Sequence, residues 1–230
     1  MSPSFENKIF QRLRDGNERK IAALFIGNID ADYNNEKTKA LFSINTRRET
    51  FSAVAEITQK ALYMPKTLED FLEKIRSGAL KNKIVLLNIN DFRIPNTLWF
   101  DILLETDFFI YMCGYIQPYC HNQIESMLAG CIPVTQFRRF FIPSFEHEKT
   151  ALLFDTFDEL KKLLVEIAEG KYNAKKTLMR KNISAYYWDN YSFKSFEDKL
   201  TALLSGGVQQ STYHIATGEE HILKELEKQN

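Results

Sequence analysis

The sequence predicts an α/β domain, a single doubly wound parallel sheet followed by extra C-terminal helices. Three observations carry that prediction. Short, almost wholly apolar runs recur at Lys20–Ile26, Lys83–Asn88, Asp107–Met112 and Ile132–Thr135, as strands buried on both faces of a parallel sheet do. Segments with apolar residues three and four apart separate these runs, the alternation of strand and helix that a parallel sheet needs. The stretch Asp107–Phe137 compresses the pattern into strand, turn, helix and strand, a βαβ unit whose crossover is expected to be right-handed.

Taken in order, residues 5–15 place Phe5, Ile9 and Leu13 four apart with Phe10 beside them, an amphipathic helix closed by Asp15-Gly16-Asn17. The first strand ends at Gly27-Asn28. Asp30–Thr46 is polar and long for a loop, a length that after a strand is often functional. Thr46-Arg47-Arg48-Glu49 opens a helix running to about Lys60, with Phe51, Val54, Ala55 and Thr58 on one face. Leu62-Tyr63 reads as a short strand before Pro65, and Thr67 caps the next helix with Asp70 three residues on. After the strand Lys83–Asn88, Pro95 and Trp99–Glu105 suggest a helix leading into Asp107. Ala151–Phe154 reads as a last strand. Helices follow over Asp155–Glu169, Ala174–Tyr191 and Phe193–Leu204, and Ser205-Gly206-Gly207 is a linker signal. The polar tail holds one short helical pattern near Glu219–Lys228. The expected organisation is therefore an N-terminal helix (1–18), the α/β domain (19–204) and the tail (205–230).

Within the central unit, His121 or Asn122 is positioned to cap the helix His121–Ala129, Ile124 and Leu128 share a face, and Gly130 stops it. Ligands of open α/β sheets sit at the carboxyl ends of strands, so chemistry or binding is expected at the loop Gly114–Asn122.

Composition narrows the function classes. Thirty basic and thirty acidic side chains cancel, leaving no global field to draw in nucleic acid or anionic membrane. Hydrophobic residues make up 44%, enough for a substantial core in a chain of 230 residues. Cys113, Cys120 and Cys131 lack framework spacing, which suggests reduced thiols packed as small hydrophobes in a cytosolic setting. No C-x-x-C pair accompanies His121, so no metal site is expected. The N-terminus has no apolar leader and no run approaches the ~18 apolar residues of a membrane span. The expectation is a cytoplasmic protein, at most peripheral to the inner face of a membrane.

The motif Asn122-x-x-Glu125-Ser126-Met127-Leu128-Ala129-Gly130-Cys131-Ile132-Pro133-Val134 resembles the nucleotide-sugar-binding, C-terminal half of GT-B glycosyltransferases, whose helix opens into E-A-M-A-x-G-x-P-V before the next strand. It is similar to group 1, exostosin-like and capsule or lipopolysaccharide members. Glu148–Phe154 and the following helix are similar to that family's D-G-x-x-G-L-L-F segment, so the resemblance spans roughly Lys20 to Leu204. It implies a Rossmann-like fold and a transferase of polysaccharide biosynthesis that passes a sugar from a nucleotide-diphosphate donor to a glycan or lipid-linked acceptor. By position, Glu125 would accept both ribose hydroxyls, as one carboxylate can. Asn122 and the helix start would meet phosphate, where free N–H groups favour an anion. Arg47 or Arg48 would hold the diphosphate, and Gly27 and Gly114 lie in the loops that approach it. Gln117 stands where retaining members keep a second glutamate against the donor sugar. These enzymes generally use no metal or other cofactor, since helix dipole and basic side chains neutralise the leaving diphosphate.

The resemblance covers one of the two GT-B halves, and the acceptor lies mainly in the other. The expected arrangements are an acceptor-domain partner chain, a homo-oligomer, a compact single-domain transferase, or a non-catalytic nucleotide-binding or interaction module. Bland readings stand beside the sharp ones. Glu125 suits an exposed helix position, Arg47 and Arg48 suit solvated charges, and His121 suits either a cap or a catalytic base. Arg138-Arg139 suits a basic rim or a phosphate contact, and Asp30, Asp32 and Tyr33 follow the first strand where a base or acceptor contact would sit. A reductase is disfavoured, because Ile26 is followed by Gly27-Asn28-Ile29-Asp30 rather than G-x-G-x-x-G.

Overall fold

Every residue of β1 (Ile21–Gly27), β4 (Thr106–Ile110) and β5 (Ile132–Thr135) is buried, as are four of the five in β3 (Ile84–Asn88). Such strands have no polar face to turn to water, so they occupy the middle of a sheet covered on both sides. The computed structural model describes residues 3–14, 18–30, 39–40, 43–112, 120–138 and 140–205. In it the two-residue strands β2 (Leu62–Tyr63) and β6 (Leu152–Leu153) form the edges of a parallel sheet ordered β2-β3-β1-β4-β5-β6.

One face is covered by α2 (Arg47–Ala55) and α6 (Phe157–Ala168), which bury Val54, Leu160 and Leu164 against Phe25, Leu86 and Phe108. The other carries α1 (Pro3–Arg14), α3 (Leu68–Ser77), α4 (Asn96–Leu104), α5 (His121–Leu128) and most of α7 (Lys176–Asn190). The last helix, α8 (Phe193–Leu204), follows α7. The connection from β1 to β2 steps over the place taken by β3, and that from β2 to β3 steps back. Right-handed crossovers in opposite directions put α2 and α3 on opposite faces, as the two cores record. β1 ends between β3 and β4, so the carboxyl ends of these three strands bound the crevice where open sheets take ligands.

Polar groups lock the opposite, amino-terminal edge. The buried Arg19 donates to the Ala129 carbonyl at 2.6 Å, to the Leu103 carbonyl at 3.3 Å and to the Thr106 carbonyl, gathering the ends of α4 and α5. Asp107 is 4% exposed and is held by Lys176 at 2.8 Å and by Arg180, tying β4 to α7. Glu6, also 4% exposed, accepts from the Tyr187 hydroxyl at 2.7 Å and from the Phe193 amide at 3.2 Å, joining α1 to α7 and to the start of α8.

Three expectations need correction. α2 ends at Ala55 rather than near Lys60, because the Thr58 carbonyl accepts from the amides of Ala61 and Leu62 in a turn that feeds β2. Its buried residues are consequently Arg47, Thr50, Ala53 and Val54, while Ala55 and Thr58 face water. α5 is capped by Cys120 instead of His121 or Asn122, with the Gln123 side chain accepting the Cys120 amide at 3.2 Å. Gly130 does stop that segment, at φ +67°. The expected helix closure at residues 15–17, the tail helix at 219–228 and the loop residues Gly114 and Gln117 lie outside the described residues.

Candidate functional site

The site is built from what the sheet topology brings to the carboxyl edge. β1 ends in Gly27-Asn28 and β3 in Asn88, and the two loop starts are stitched together. Asn90 Nδ2 donates to Asn28 Oδ1 at 3.1 Å and to Asp30 Oδ2 at 2.7 Å, and the Ile89 amide donates to the Gly27 carbonyl at 3.2 Å. The similar stretches Gly27-Asn28-Ile29-Asp30 and Asn88-Ile89-Asn90-Asp91 after adjacent strands are the signal that could have revealed this cluster. Sequence reasoning singled out Gly27 and Asp30 of this cluster and missed Asn28 and Asn90.

α2 begins beside β1 because Thr46 caps it in a reciprocal box: the Glu49 amide donates to Thr46 Oγ1 at 3.2 Å and the Thr46 amide to Glu49 Oε2 at 2.8 Å. Burial works to raise the Glu49 carboxyl, but hydrogen bonds from Lys39 and from Thr46 outweigh it and hold the group below the usual carboxylate range. The cap separates the two arginines. Arg47 is 8% exposed and lies over Gly27, where a Cβ would come within 4.0 Å of its Cδ. Its guanidinium reaches Cys120 Sγ at 3.8 Å, at the start of α5. Arg48 is exposed and turns the other way, Nε donating to the Ile29 carbonyl at 3.2 Å. It lines a cavity of about 480 Å³ between α2 and α6 with Glu49, Glu56, Phe157 and Lys161.

Gly27 is needed for close packing. A Cβ there would stand 2.4 Å from Met112 Sδ, so the side chain of Met112 fills the space above the end of β1. Met112 and Cys120 flank residues 113–119, and Gln123 holds both. Its Nε2 donates to the Met112 carbonyl at 2.8 Å while its Oε1 accepts the Cys120 amide. Tyr111 adds a second tie, its hydroxyl donating to the Gln123 carbonyl at 2.8 Å, and complete burial pushes that phenol well above its ordinary pKa.

Glu125 lies in the second turn of α5, half-buried, where Oε2 accepts from the Trp99 indole of α4 at 2.7 Å. Trp99 is itself held edge-on to Phe109 of β4 at 6.3 Å between ring centres. A carboxylate fixed by one donor keeps acceptor positions for others, the chemistry a vicinal diol requires. Trp99, Met112 and Gln123 were not singled out from the sequence, since each reads there as a core or helix residue.

The structure thus brings Gly27, Arg47 and the start of α5 together, with Asn122 half-buried in the first turn of that helix and Glu125 one turn along. His121 is exposed at the same helix start, and Arg138 is exposed and paired with Asp155 at 3.3 Å. Asp32, Tyr33 and Arg139 lie outside the described residues, as Gly114 and Gln117 do. Among the described residues no group of three or more His, Cys, Asp or Glu side chains is arranged to hold a metal, and no helix is long and apolar enough to cross a membrane.

No family model and no curated protein matches the sequence. Among solved structures the chain is similar to Anabaena Alr3699/HepE in complex with UDP and glucose, at 16% identity and a TM-score of 0.47, over 90% of this chain and 53% of that one. It is similar also to WaaG, a glycosyltransferase involved in lipopolysaccharide biosynthesis, at 10% identity and a TM-score of 0.41, over 90% of this chain and 52% of that one. A third likeness is to the pneumococcal O-GlcNAc transferase GtfA in complex with UDP and GlcNAc, at 11% identity and a TM-score of 0.43, over 84% of this chain and 37% of that one. The chain spans about half the length of the first two structures and less of the third.

Proposed function

We propose that this chain binds a nucleotide-diphosphate sugar and acts as the donor-binding part of a glycosyltransferase, passing the sugar to a glycan or lipid-linked acceptor. The observation that carries the reading is the Arg47 guanidinium, buried at the switch point and reaching from α2 over Gly27 to the start of α5. A cation and a helix N-terminus converging on one crevice suit a diphosphate, whose charge grows as the sugar–phosphate bond breaks. In this reading the leaving group is neutralised without a metal. Asn122 contributes a further donor, and Glu125, held by Trp99, accepts the ribose hydroxyls. Gln117 is the candidate contact to the donor sugar, Gly114 is a candidate for the diphosphate, and the exposed His121 is the candidate proton acceptor. The acceptor is bound by a partner chain or a second copy. Location at the inner face of a membrane belongs to the same proposal.

A thermal-shift and calorimetry panel of UDP, GDP, CDP, ADP and their sugars tests it on the wild type, Glu125→Ala and Arg47→Ala. A ligand at a hundred times its dissociation constant stabilises the native state by ~2.7 kcal/mol, a readily measured rise in Tm. One diphosphate series is expected to stabilise the wild type and to act far more weakly on both variants. Slow hydrolysis of the bound sugar nucleotide, abolished in Glu125→Ala, then marks an enzyme. Binding without turnover in any acceptor mixture marks a non-catalytic nucleotide-binding module. If none binds at millimolar concentration, the proposal fails for this chain alone.

A further inference from the structure

α8 wears its amphipathicity inside out. Successive residues of a helix turn by about 100°, which puts Phe193, Phe196, Leu200, Leu203 and Leu204 on one stripe roughly 100° wide. That stripe faces outward, its side chains 44%, 63%, 41%, 41% and 78% exposed. The opposite side of the helix is the packed one: Ser195 is buried at 8% exposure and donates to the Asp189 carbonyl at 2.6 Å. Five of the nine large apolar side chains exposed among the described residues therefore sit on this one helix. Taking about 200 Å² for a whole side chain, the stripe offers on the order of 500 Å² of surface, the size at which an exposed apolar patch marks an interaction site.

We propose that residues 219–228 of this same chain dock on the outward stripe of α8. That stretch, Glu-Glu-His-Ile-Leu-Lys-Glu-Leu-Glu-Lys, places Leu226 four residues after Ile222 and three after Leu223, the intervals at which side chains are neighbours on a helix surface. It follows Ser205 after residues 206–218, a polar connection containing Gly206-Gly207. Thirteen such residues reach at most about 45 Å, against roughly 18 Å for the whole of α8, so the stretch can lie along the stripe in either direction. Two arguments favour this occupant over a second copy of the chain. The stripe is smaller than the ~800 Å² each partner contributes to a stable interface. A tethered segment also meets its site at an effective concentration on the order of millimolar, which a second copy at micromolar concentration does not match.

Hydrogen exchange on the full chain tests the proposal. The wild type is expected to protect the amides of 219–228 at least about tenfold over an unstructured peptide. Phe196→Asp abolishes that protection while leaving the far-UV circular dichroism of the domain intact. Ile222→Asp with Leu226→Asp leaves α8 in place and raises binding of a hydrophobic dye several-fold. Exchange of 219–228 at unstructured rates in the wild type overturns the proposal. So does a wild-type dimer in sedimentation that Phe196→Asp breaks and the tail variant does not, since the stripe then belongs to a second copy.

Discussion

Gln123 Nε2 lies 2.8 Å from the Met112 carbonyl, and this contact fixes the start of α5 to the end of β4. The same amide accepts from Cys120, so one side chain, 1% exposed, clamps both residues that flank 113–119. Gln123→Leu removes both bonds and strands the buried Met112 carbonyl and the half-buried Cys120 N–H, at up to about 1–3 kcal/mol each before relaxation. The expected loss is roughly 2–4 kcal/mol in urea unfolding with an unchanged m-value. A loss below about 0.5 kcal/mol would show that the clamp carries no weight.

The Trp99–Glu125 contact makes a second prediction, on the proposed donor site. If Trp99 aims the carboxylate, Trp99→Phe weakens binding of the preferred nucleotide diphosphate by roughly 3–10-fold, about the worth of one charge-assisted hydrogen bond. Glu125→Ala weakens it more. The double variant is then expected to be no weaker than Glu125→Ala alone, because the indole acts through the carboxylate. Additive losses in calorimetry would mean that Trp99 touches the ligand itself.

Arg47 and Arg48 separate cleanly in a third measurement. Arg47→Ala removes the buried guanidinium of the crevice, and diphosphate affinity is expected to drop roughly 10–100-fold. Arg48 points to the Ile29 carbonyl and the cavity between α2 and α6, so Arg48→Ala is expected to change affinity by less than about threefold. The reverse ranking would move the anion site to that cavity.

The strands are readable because burial on both faces leaves a compositional trace: Ile21–Gly27 and the run Phe108-Phe109-Ile110 contain no polar side chain. Caps with oxygen side chains were readable too, as Thr46 and Thr67 show. Cys120 was not, since a thiol is a weak capping group and the informative residue is Gln123 three positions on. Arg47 and Arg48 are neighbours at a helix start, and only the geometry of the Thr46 box decides which one turns inward. The outward stripe of α8 is illegible for a different reason. Its spacing of Phe193, Phe196, Leu200 and Leu203 is that of a core-facing helix, and periodicity reports which residues share a face without reporting what that face meets. At the site, Glu125 and Arg47 carry charge and draw notice, whereas Trp99, Met112 and Gln123, which hold those groups in place, look like packing.

Acid should expose the α2 cap. The Glu49 carboxyl in the folded chain lies below its ordinary value near 4.5, because Lys39 and Thr46 donate to its charged form and outweigh the effect of burial. A depressed folded pKa contributes stability that is fully present above the unfolded value and is lost as pH falls through the folded one. The relevant window therefore opens near pH 4.5 and extends downward. Glu49→Gln removes the titration while keeping the side chain's length, and at pH 7 the variant is expected to unfold at lower urea than the wild type. The difference is modest, since the side chain is 34% exposed and solvent screens its pairing with Lys39. The two midpoints converge as the pH falls below 4.5 and through the folded value, where the wild-type carboxyl loses its charge. A gap that stays as wide at the acid end of the titration as at pH 7 would place the stabilisation in packing or neutral hydrogen bonding, and the charged cap would have no part in seating Arg47.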